Sequence, residues 1–437
     1  MTSEPVNQFK SVCGTANSSA HMPHHPAPPS ANSARRHPMK VCMLAYSFYE
    51  NDARIKQYAR ALVERGDSVD VIALRQSGHP DRAVLNGVNV FRVQTRTIDE
   101  RGPLSYLFRI LRFLFVATAF IARRHVSRKY DLLHVHSVPD FLVFAAAVPK
   151  LLGVPVILDI HDVLPEFYAS KFGIAPNSFL FRCLVFVERV SIAFADHAIV
   201  ANHLWCERVA KRCGRPEKCS PIRNYPAPVL FNPNIRNRGN GKFLITYPGS
   251  LNWHQGVDVA IGAFAKIKDQ MPDAEFHIYG EGPAKKPLIH LAGTLGLQNR
   301  VVFHGPLPTE QIVQVMADTD LAVEPKRSGS QFGNEALSMK IFEFMAVGVP
   351  LVVSRTRIHQ YYYDDTLVKY YDKDDEAQLA ANIIFLRNNP AVCEQQVAKA
   401  LKYVEVHNWD VEKYQYLGIV DSLVAKQPVF QSAPRVA

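Results

Sequence analysis

Short, unbroken apolar runs recur along this chain, with helical stretches between them. From Met39 the runs are KVCMLAY, VDVIAL, LLHVH, VPVILDIH and HAIVA. A helix from about Ala53 to Gly66 follows the first, and FLVFAAAVPKLLG is a helical stretch after the third. A strand covered on both faces has no polar side, so it reads as a continuous apolar run, and such strands belong to parallel sheets sheathed in helices. The alternation stops at RNYPAPVLFNPNIRNRGNGK, rich in Asn, Pro, Arg and Gly. It resumes with FLITYPG, GVDVAIGAFAKI and AEFHIYG and continues through VVFHG, DLAVEP, PLVVS and LVKYY. The pattern predicts an α/β protein of two doubly wound Rossmann-like domains facing across a cleft. Its 437 residues exceed one ordinary core. The domains are expected at 39–228 and 242–408, with a linker at 229–241. Residues 409–437 are expected to form a helix crossing back to the first domain, then a tail. Ligands of such sheets bind past the carboxyl ends of strands, so the cleft is the natural site.

Residues 1–38 are rich in Ser, Pro, Asn, Ala and His and read as a disordered tail. Their four histidines are compositional, and the absence of an apolar core argues against a signal peptide. Seven cysteines are spread from Cys13 to Cys393. Cys206, Cys213 and Cys219 lie close together without a zinc spacing, and an odd count without a framework suits a reducing compartment. The net charge of +10 suits an anionic partner such as a nucleotide or a lipid head group. The basic residues are scattered and no nucleic-acid motif is present, which excludes that class. The stretch Leu104 to Lys129 is nearly long enough to cross a bilayer, but Arg109 and Arg112 interrupt it. It either lies in a membrane interface with its basic residues at anionic head groups, or covers the first sheet. The expected setting is cytoplasmic, with peripheral contact at the inner face of the membrane.

The densest chemistry is in FGNEALSMKIFEFMAVGVP, Phe332 to Pro350, where seven residues separate Glu335 from Glu343. Leu337 to Ala346 are strong helix formers apart from Ser338, and Gly348 and Pro350 stop the helix. LVVS then reads as a buried strand. Glu335 falls at the helix entrance, where unpaired N–H groups and a positive dipole end suit a phosphate. An acid there is also an ordinary first-turn residue. Glu343 falls mid-helix among Phe342, Phe344 and Met345 and needs a polar partner. In the first half, SFYENDARIKQYARAL sets Asp52 and Arg54 at a helix start, where Asp is also a good cap. DIHDVLPE sets His161, Asp162 and Glu166 at a strand's carboxyl end. Asn224 precedes the linker and reads as a turn residue.

YPGSLNWHQGVDVAIGAFAKI, FHIYGEGP, VVFHGPLP, FGNEALSMKIFEFMAVGVPLVVS and HNWDVEKYQYL follow one another in order and spacing. Together they make the span from Met39 to about Leu423 resemble retaining glycosyltransferases of family 4, the group 1 glycosyl transferases, of GT-B fold. The resemblance implies a nucleoside diphosphate sugar as donor and a carbohydrate or lipid-linked acceptor, in polysaccharide or glycoconjugate biosynthesis. It implies that Glu343 binds ribose hydroxyls and that Glu335 lies by the sugar. Backbone N–H groups from Gly333 and Asn334 to Ala336 would contact sugar and phosphate, and Gly249 and Gly280 would border the donor. It sets His161 near the sugar and Asp52, Arg54 and Asp162 on the acceptor side. It implies no metal or cofactor, and no Asp-x-Asp motif stands in a convincing metal-binding loop. It implies front-face attack, with the leaving phosphate taking the acceptor proton and no protein nucleophile. The sequence departs from the family at Ser250 and Gln255, where an arginine and a lysine commonly meet the diphosphate. Lys326, Arg327 and Lys340 are the candidate replacements, with His254 as a further donor. The rival readings are a silent nucleotide-sugar-binding scaffold and a nucleotide-sugar epimerase or hydrolase.

Overall fold

The computed structural model describes residues 37–96, 103–176, 178–236, 241–372 and 374–425. Most of the expected N-terminal tail, 1–36 with Cys13, and residues 426–437 lie outside them. The first half of the fold runs β1 (Lys40–Ala45), α1 (Ala53–Glu64), β2 (Ser68–Arg75), β3 (Arg82–Leu85), β4 (Val88–Thr95) and α2 (Pro103–Arg128). It continues with β5 (Leu132–His136), α3 (Ala147–Leu151), β6 (Val156–Ile160), α4 (Leu164–Phe172), α5 (Phe179–Phe194), β7 (His197–Val200), α6 (His203–Cys213) and β8 (Cys219–Pro221). The stretch Asp140–Ala146 ahead of α3 winds as a tighter 3-10 helix. The sheet order is β3-β4-β2-β1-β5-β6-β7-β8. All pairings are parallel except β3 with β4. Strands β5 and β6 are buried at every position, which is why they read as apolar runs interrupted only by His134, His136 and Asp159. The hairpin β3–β4 escaped the sequence reading. Strand β3 alternates between exposed and half-buried, so it makes no apolar run. Its turn, Asn86–Gly87, has positive φ at both residues, as a two-residue hairpin turn requires.

The second half runs β9 (Phe243–Pro248), α7 (Val257–Ile267), β10 (Ala274–Tyr279), α8 (Lys285–Thr294), β11 (Val301–His304), α9 (Thr309–Ala317) and β12 (Leu321–Glu324). Then come α10 (Gln331–Glu335), α11 (Met339–Ala346), β13 (Leu351–Ser354), α12 (Arg357–Tyr362), β14 (Lys369–Tyr371), α13 (Glu376–Asn388) and α14 (Pro390–Val406). Its sheet is wholly parallel, in the order β11-β10-β9-β12-β13-β14. Both sheets are doubly wound, with the order reversing beside β1 in one and β9 in the other. Those reversals leave the crevices in which such sheets hold ligands. The last helix, α15 (Trp409–Ala425), packs on the first sheet's side. Trp409, Tyr416 and Val420 share a core with Val41, Ile55 and Tyr58. Glu412 on α15 pairs with Arg223 at 2.6 Å, both buried.

Candidate active site

A cleft of about 530 Å³ lies between the two sheets. Asp52 and Arg54 at the start of α1, His161 and Asp162 after β6, and Asn224 wall one side; Ala336, Leu337 and Met339 wall the other. Four of the sequence-predicted residues on the first half therefore converge, although more than a hundred residues separate Arg54 from His161. Asn224, read as a turn residue, belongs to the same wall.

The details sort these residues by what they can do. Asp52 caps α1: one carboxylate oxygen accepts the Ile55 N–H at 3.2 Å and the other accepts the Ser47 hydroxyl at 3.1 Å. The Arg54 guanidinium donates to both oxygens of Asp159 at 2.8 and 2.6 Å and to the Ile222 carbonyl at 3.0 Å. It neutralises a carboxylate buried at the end of β6 while lining the cleft. Burial favours a neutral Asp159, but Arg54 and His161 hold its pKa well below the usual range. His161 Nε2 lies 2.9 Å from Asp159 Oδ2 and 3.2 Å from His136 Nδ1. Asp159 thus fixes the ring of the one half-buried histidine at the cleft wall. Burial raises the pKa of Asp162, with His161 and Lys326 opposing. His134, His136 and Asp159 bring three potential metal-ligand atoms within 4.8 Å of one another. Arg54 already grips both oxygens of that carboxylate, so the trio reads as an ion-pair network, not a metal cage.

On the other side the motif divides. Helix α11 begins at Met339, two residues later than expected, and α10 coils separately over Gln331–Glu335. Ala336 between them is extended, and Lys326 Nζ donates to its carbonyl at 2.7 Å, which holds the chain out of the helix. The amides expected to meet phosphate are satisfied locally. Gly333 N–H donates to the Ser330 hydroxyl at 2.9 Å, Asn334 N–H to the Ser330 carbonyl at 2.9 Å, and Ala336 N–H to the Phe332 carbonyl at 2.8 Å. The Asn334 side chain accepts the Arg357 N–H at 2.7 Å. The free entrance is one helix further on. Ser338 makes no capping bond at the start of α11. Orphan amides in that first turn, beside the cleft-lining Leu337 and Met339, suit an anion.

Glu335 is buried between two cations, Arg208 of α6 and Arg357 of α12, the latter at 2.9 Å. Its carbonyl accepts the Asn202 amide at 3.1 Å. Its carboxylate ties the halves of the molecule together and does not stand open. Glu343 differs: among the described residues it has no hydrogen-bond partner. Burial pushes its pKa up to about 7, with Lys340 opposing and Glu324 adding. Lys340 Nζ lies 3.3 Å from Glu324 Oε2 and 4.9 Å over the Tyr247 ring. Burial acts against its charge, yet Glu324 holds its pKa above the ordinary value. Lys326, buried beside Lys340, is pushed down to about 8 by burial with Lys340 adding. His254 is pushed down to about 4 by burial, then by Lys326 and Lys340, so it is neutral near pH 7. Glu324, Lys326, Lys340, Glu343 and His254 make one electrostatically coupled cluster. Glu324 is fully buried, and its carboxylate is paired with Lys340.

The remaining donor-side expectations fare unequally. Arg327 is committed elsewhere, forked between Asp258 and Asp374 and stacked 4.7 Å over Trp253. Ser250 is exposed and its hydroxyl accepts only the Asn252 amide at 3.3 Å; Gln255 lies 3.3 Å from the His254 ring. Gly249 and Gly280 stand at the carboxyl ends of β9 and β10. A Cβ on Gly280 would come within 1.9 Å of the Gly249 carbonyl, so these ends converge only because the residue is glycine. Sequence reasoning missed Glu324 and Asp159, though each is an acid inside an apolar strand and so carried a signal. It missed Arg208 and Arg357 because nothing local marks them.

Comparison with known proteins agrees with this architecture. Residues 52–225 match the glycosyl transferase 4-like domain and residues 231–403 match the glycosyl transferases group 1 domain. One component of the human phosphatidylinositol N-acetylglucosaminyltransferase is 24% identical over 75% of this chain, and the match spans 64% of that relative's length. Sucrose-phosphate synthase from Thermosynechococcus elongatus superposes with a TM-score of 0.70 at 18% identity, covering 89% of this chain and 99% of its own. Anabaena HepE in complex with UDP-glucose superposes with a TM-score of 0.65 at 17% identity, covering 88% of this chain and 100% of its own. With both domain models matched in order along two doubly wound sheets, the chain belongs to the group 1 glycosyl transferases and has the GT-B fold.

Proposed function

We propose that this chain is a retaining transferase that moves a sugar from a nucleoside diphosphate sugar to a carbohydrate or lipid-linked acceptor. The observation that carries the reading is Glu343, a carboxylate in an apolar wall with no protein partner. A half-buried acid in that state costs free energy unless a ligand or water supplies donors. Adjacent ribose hydroxyls supply two. The diphosphate lies against the uncapped start of α11 with Lys340 and Lys326 behind it, so the cluster stands in for the cations missing at Ser250 and Gln255. Charge developing on the leaving group then meets preorganised donors in a water-poor site. The acceptor occupies the cleft at His161 and Asp162, and front-face attack returns the acceptor proton to the leaving phosphate. The UDP-glucose of the HepE complex supports a uridine donor, and the phosphatidylinositol in the human relative's name supports a lipid-borne acceptor. Peripheral membrane contact through α2 belongs to the same reading.

The test is donor turnover with and without acceptor, after a thermal-shift panel of nucleoside diphosphates has named the base. Acceptor-dependent turnover with the anomeric configuration kept supports retaining transfer. Inverted product removes the front-face mechanism, and turnover without acceptor turns the reading to a hydrolase or epimerase. The commitment of Arg327 to Asp258 and Asp374 and the satisfied loop amides favour a second reading, a silent nucleotide-sugar-binding scaffold, which predicts donor binding and no turnover.

A further inference from the structure

A second concavity, of about 680 Å³, opens where α4, α5 and α6 meet and shares no lining residue with the cleft. Five cations line it: Arg182, Arg189, Arg208, Lys211 and Arg212. Arg208 and Arg212 are spoken for, bound to the buried acids Glu166, Glu188 and Glu335. Arg182, Arg189 and Lys211 are exposed, and their side chains have no hydrogen bond or ion pair among the described residues. The only acid on α5, Glu188, is buried against Arg212, so α5 offers no exposed negative charge to balance them. The same helix carries an outward apolar stripe beside the groove, with Phe179 84%, Leu180 53% and Phe186 66% exposed. These residues recur at helical spacing with Arg182 and Arg189, so cations and apolar side chains share one face. An apolar surface exposed to water next to unpaired cations is the complement of an amphipathic anion.

We propose that this groove binds the phosphate-bearing head group of a membrane lipid, with Arg182, Arg189 and Lys211 on the phosphate and Phe179, Leu180 and Phe186 against the acyl region. Guanidinium forks match phosphate oxygens bidentately, and the ammonium of Lys211 adds a point charge. The inner end of the groove is Arg208, which also holds Glu335 of the motif, so a lipid seated here lies next to the glycosyl-transfer machinery. The site stands on the groove alone and needs neither α2 nor the donor reading.

The experiment compares the full chain with the variant Arg182→Gln/Arg189→Gln/Lys211→Gln and with a control of equal charge loss, Lys286→Gln/Lys399→Gln/Lys402→Gln, all exposed. Binding is measured by co-flotation with vesicles of phosphatidylcholine alone and of equimolar phosphatidylcholine and phosphatidic acid, and by titration with glycerol 3-phosphate in solution. Melting temperatures confirm that each variant is folded. The parent is expected to bind the anionic vesicles more tightly than free glycerol 3-phosphate. The groove variant is expected to lose about tenfold or more in vesicle affinity while the control keeps most of it. Equal losses in the two variants would reduce the effect to overall charge and overturn the site. Parent binding to neither anionic probe would overturn it too. Glycerol 3-phosphate bound as tightly as the vesicles would overturn the lipid and leave a soluble phosphate ester as the ligand.

Discussion

Glu343 is the residue on which the chemistry turns, and its environment yields two expectations. Glu343→Ala should weaken nucleoside diphosphate binding by about 1.5–3 kcal/mol, the worth of a charge-assisted hydrogen-bond set, with the fold intact. Isothermal titration reads this, and unchanged affinity would remove Glu343 from the site. Its pKa of about 7 adds a pH signature. Between the ordinary carboxyl range and 7 the folded chain keeps a proton that the unfolded chain has released, so stability from this site falls as pH rises through that window. The loss amounts to about 2 kcal/mol once its partial solvent contact is discounted. Denaturant unfolding of parent and Glu343→Gln across pH 4 to 8, chosen to span about both values, should show the slope in the parent only. Nucleotide affinity should rise with pH through the same window, because the ionised form accepts ribose hydroxyls. Lys326 carries a third expectation. Lys326→Ala should lower turnover at saturating donor by about 100-fold, as loss of one oxyanion donor does, and Lys326→Arg should keep part of it. Arg327→Ala should have a small effect on turnover, since its fork is spent on Asp258 and Asp374. Equal rates in the parent and Lys326→Ala would leave the diphosphate to Lys340 and backbone amides.

Two elements change the meaning of residues that look alike in sequence. The break between α10 and α11 moves the open helix entrance from Glu335 to Met339 and turns Glu335 into a tie between α6 and α12. Helix α2 does the same for basic residues. By length and composition it could cross a membrane, but Ile110, Phe113, Ala117 and Ile121 are buried in the first core. Its opposite stripe is apolar and exposed, with Phe108 and Phe115 each 70% exposed. Arg124 and Arg128 point inward to the buried Asp70, at 2.6 and 3.1 Å. Arg112 and Arg123 are exposed on the outer stripe. If α2 lies on a bilayer, Arg112→Gln/Arg123→Gln should weaken binding to anionic vesicles, by about 1 kcal/mol per charge, and salt should weaken the parent's binding. Arg124→Gln/Arg128→Gln should instead lower the melting temperature, because a buried carboxylate loses its partners. Vesicle binding unchanged by the first pair would return α2 to a plain sheet-covering helix.

Across the whole molecule, α15 closes the chain back onto the half where it started. Trp409 lies 5.4 Å from Tyr58 edge-on, and the Arg223–Glu412 pair is buried beneath it. Glu412→Ala should cost about 3–5 kcal/mol in denaturant unfolding, because Arg223 would remain buried and uncompensated. Asp421→Ala, which loses a more exposed contact to Arg65 at 2.7 Å, should cost less than about 1 kcal/mol. Similar costs for the two would mean that α15 is held by apolar packing and not by its ion pairs.

What the sequence determined by itself was local and repetitive. Parallel strands covered on both faces must be largely apolar, so β1, β5, β6 and the second sheet were legible as runs, and two series of runs meant two sheets. Glu343 was legible as an acid that its apolar neighbours could not satisfy. The antiparallel β3 was not, because a half-exposed edge strand makes no run. The pairing of charges was decided only by the tertiary structure. Arg54 meets Asp159 from 105 residues away and Arg208 meets Glu335 from 127. With 50 Lys and Arg and 40 Asp and Glu in the chain, nothing local selects one partner among many. An ion pair depends on a few ångströms of separation and on how much water both charges lose, and neither exists until the sheets have brought distant segments together.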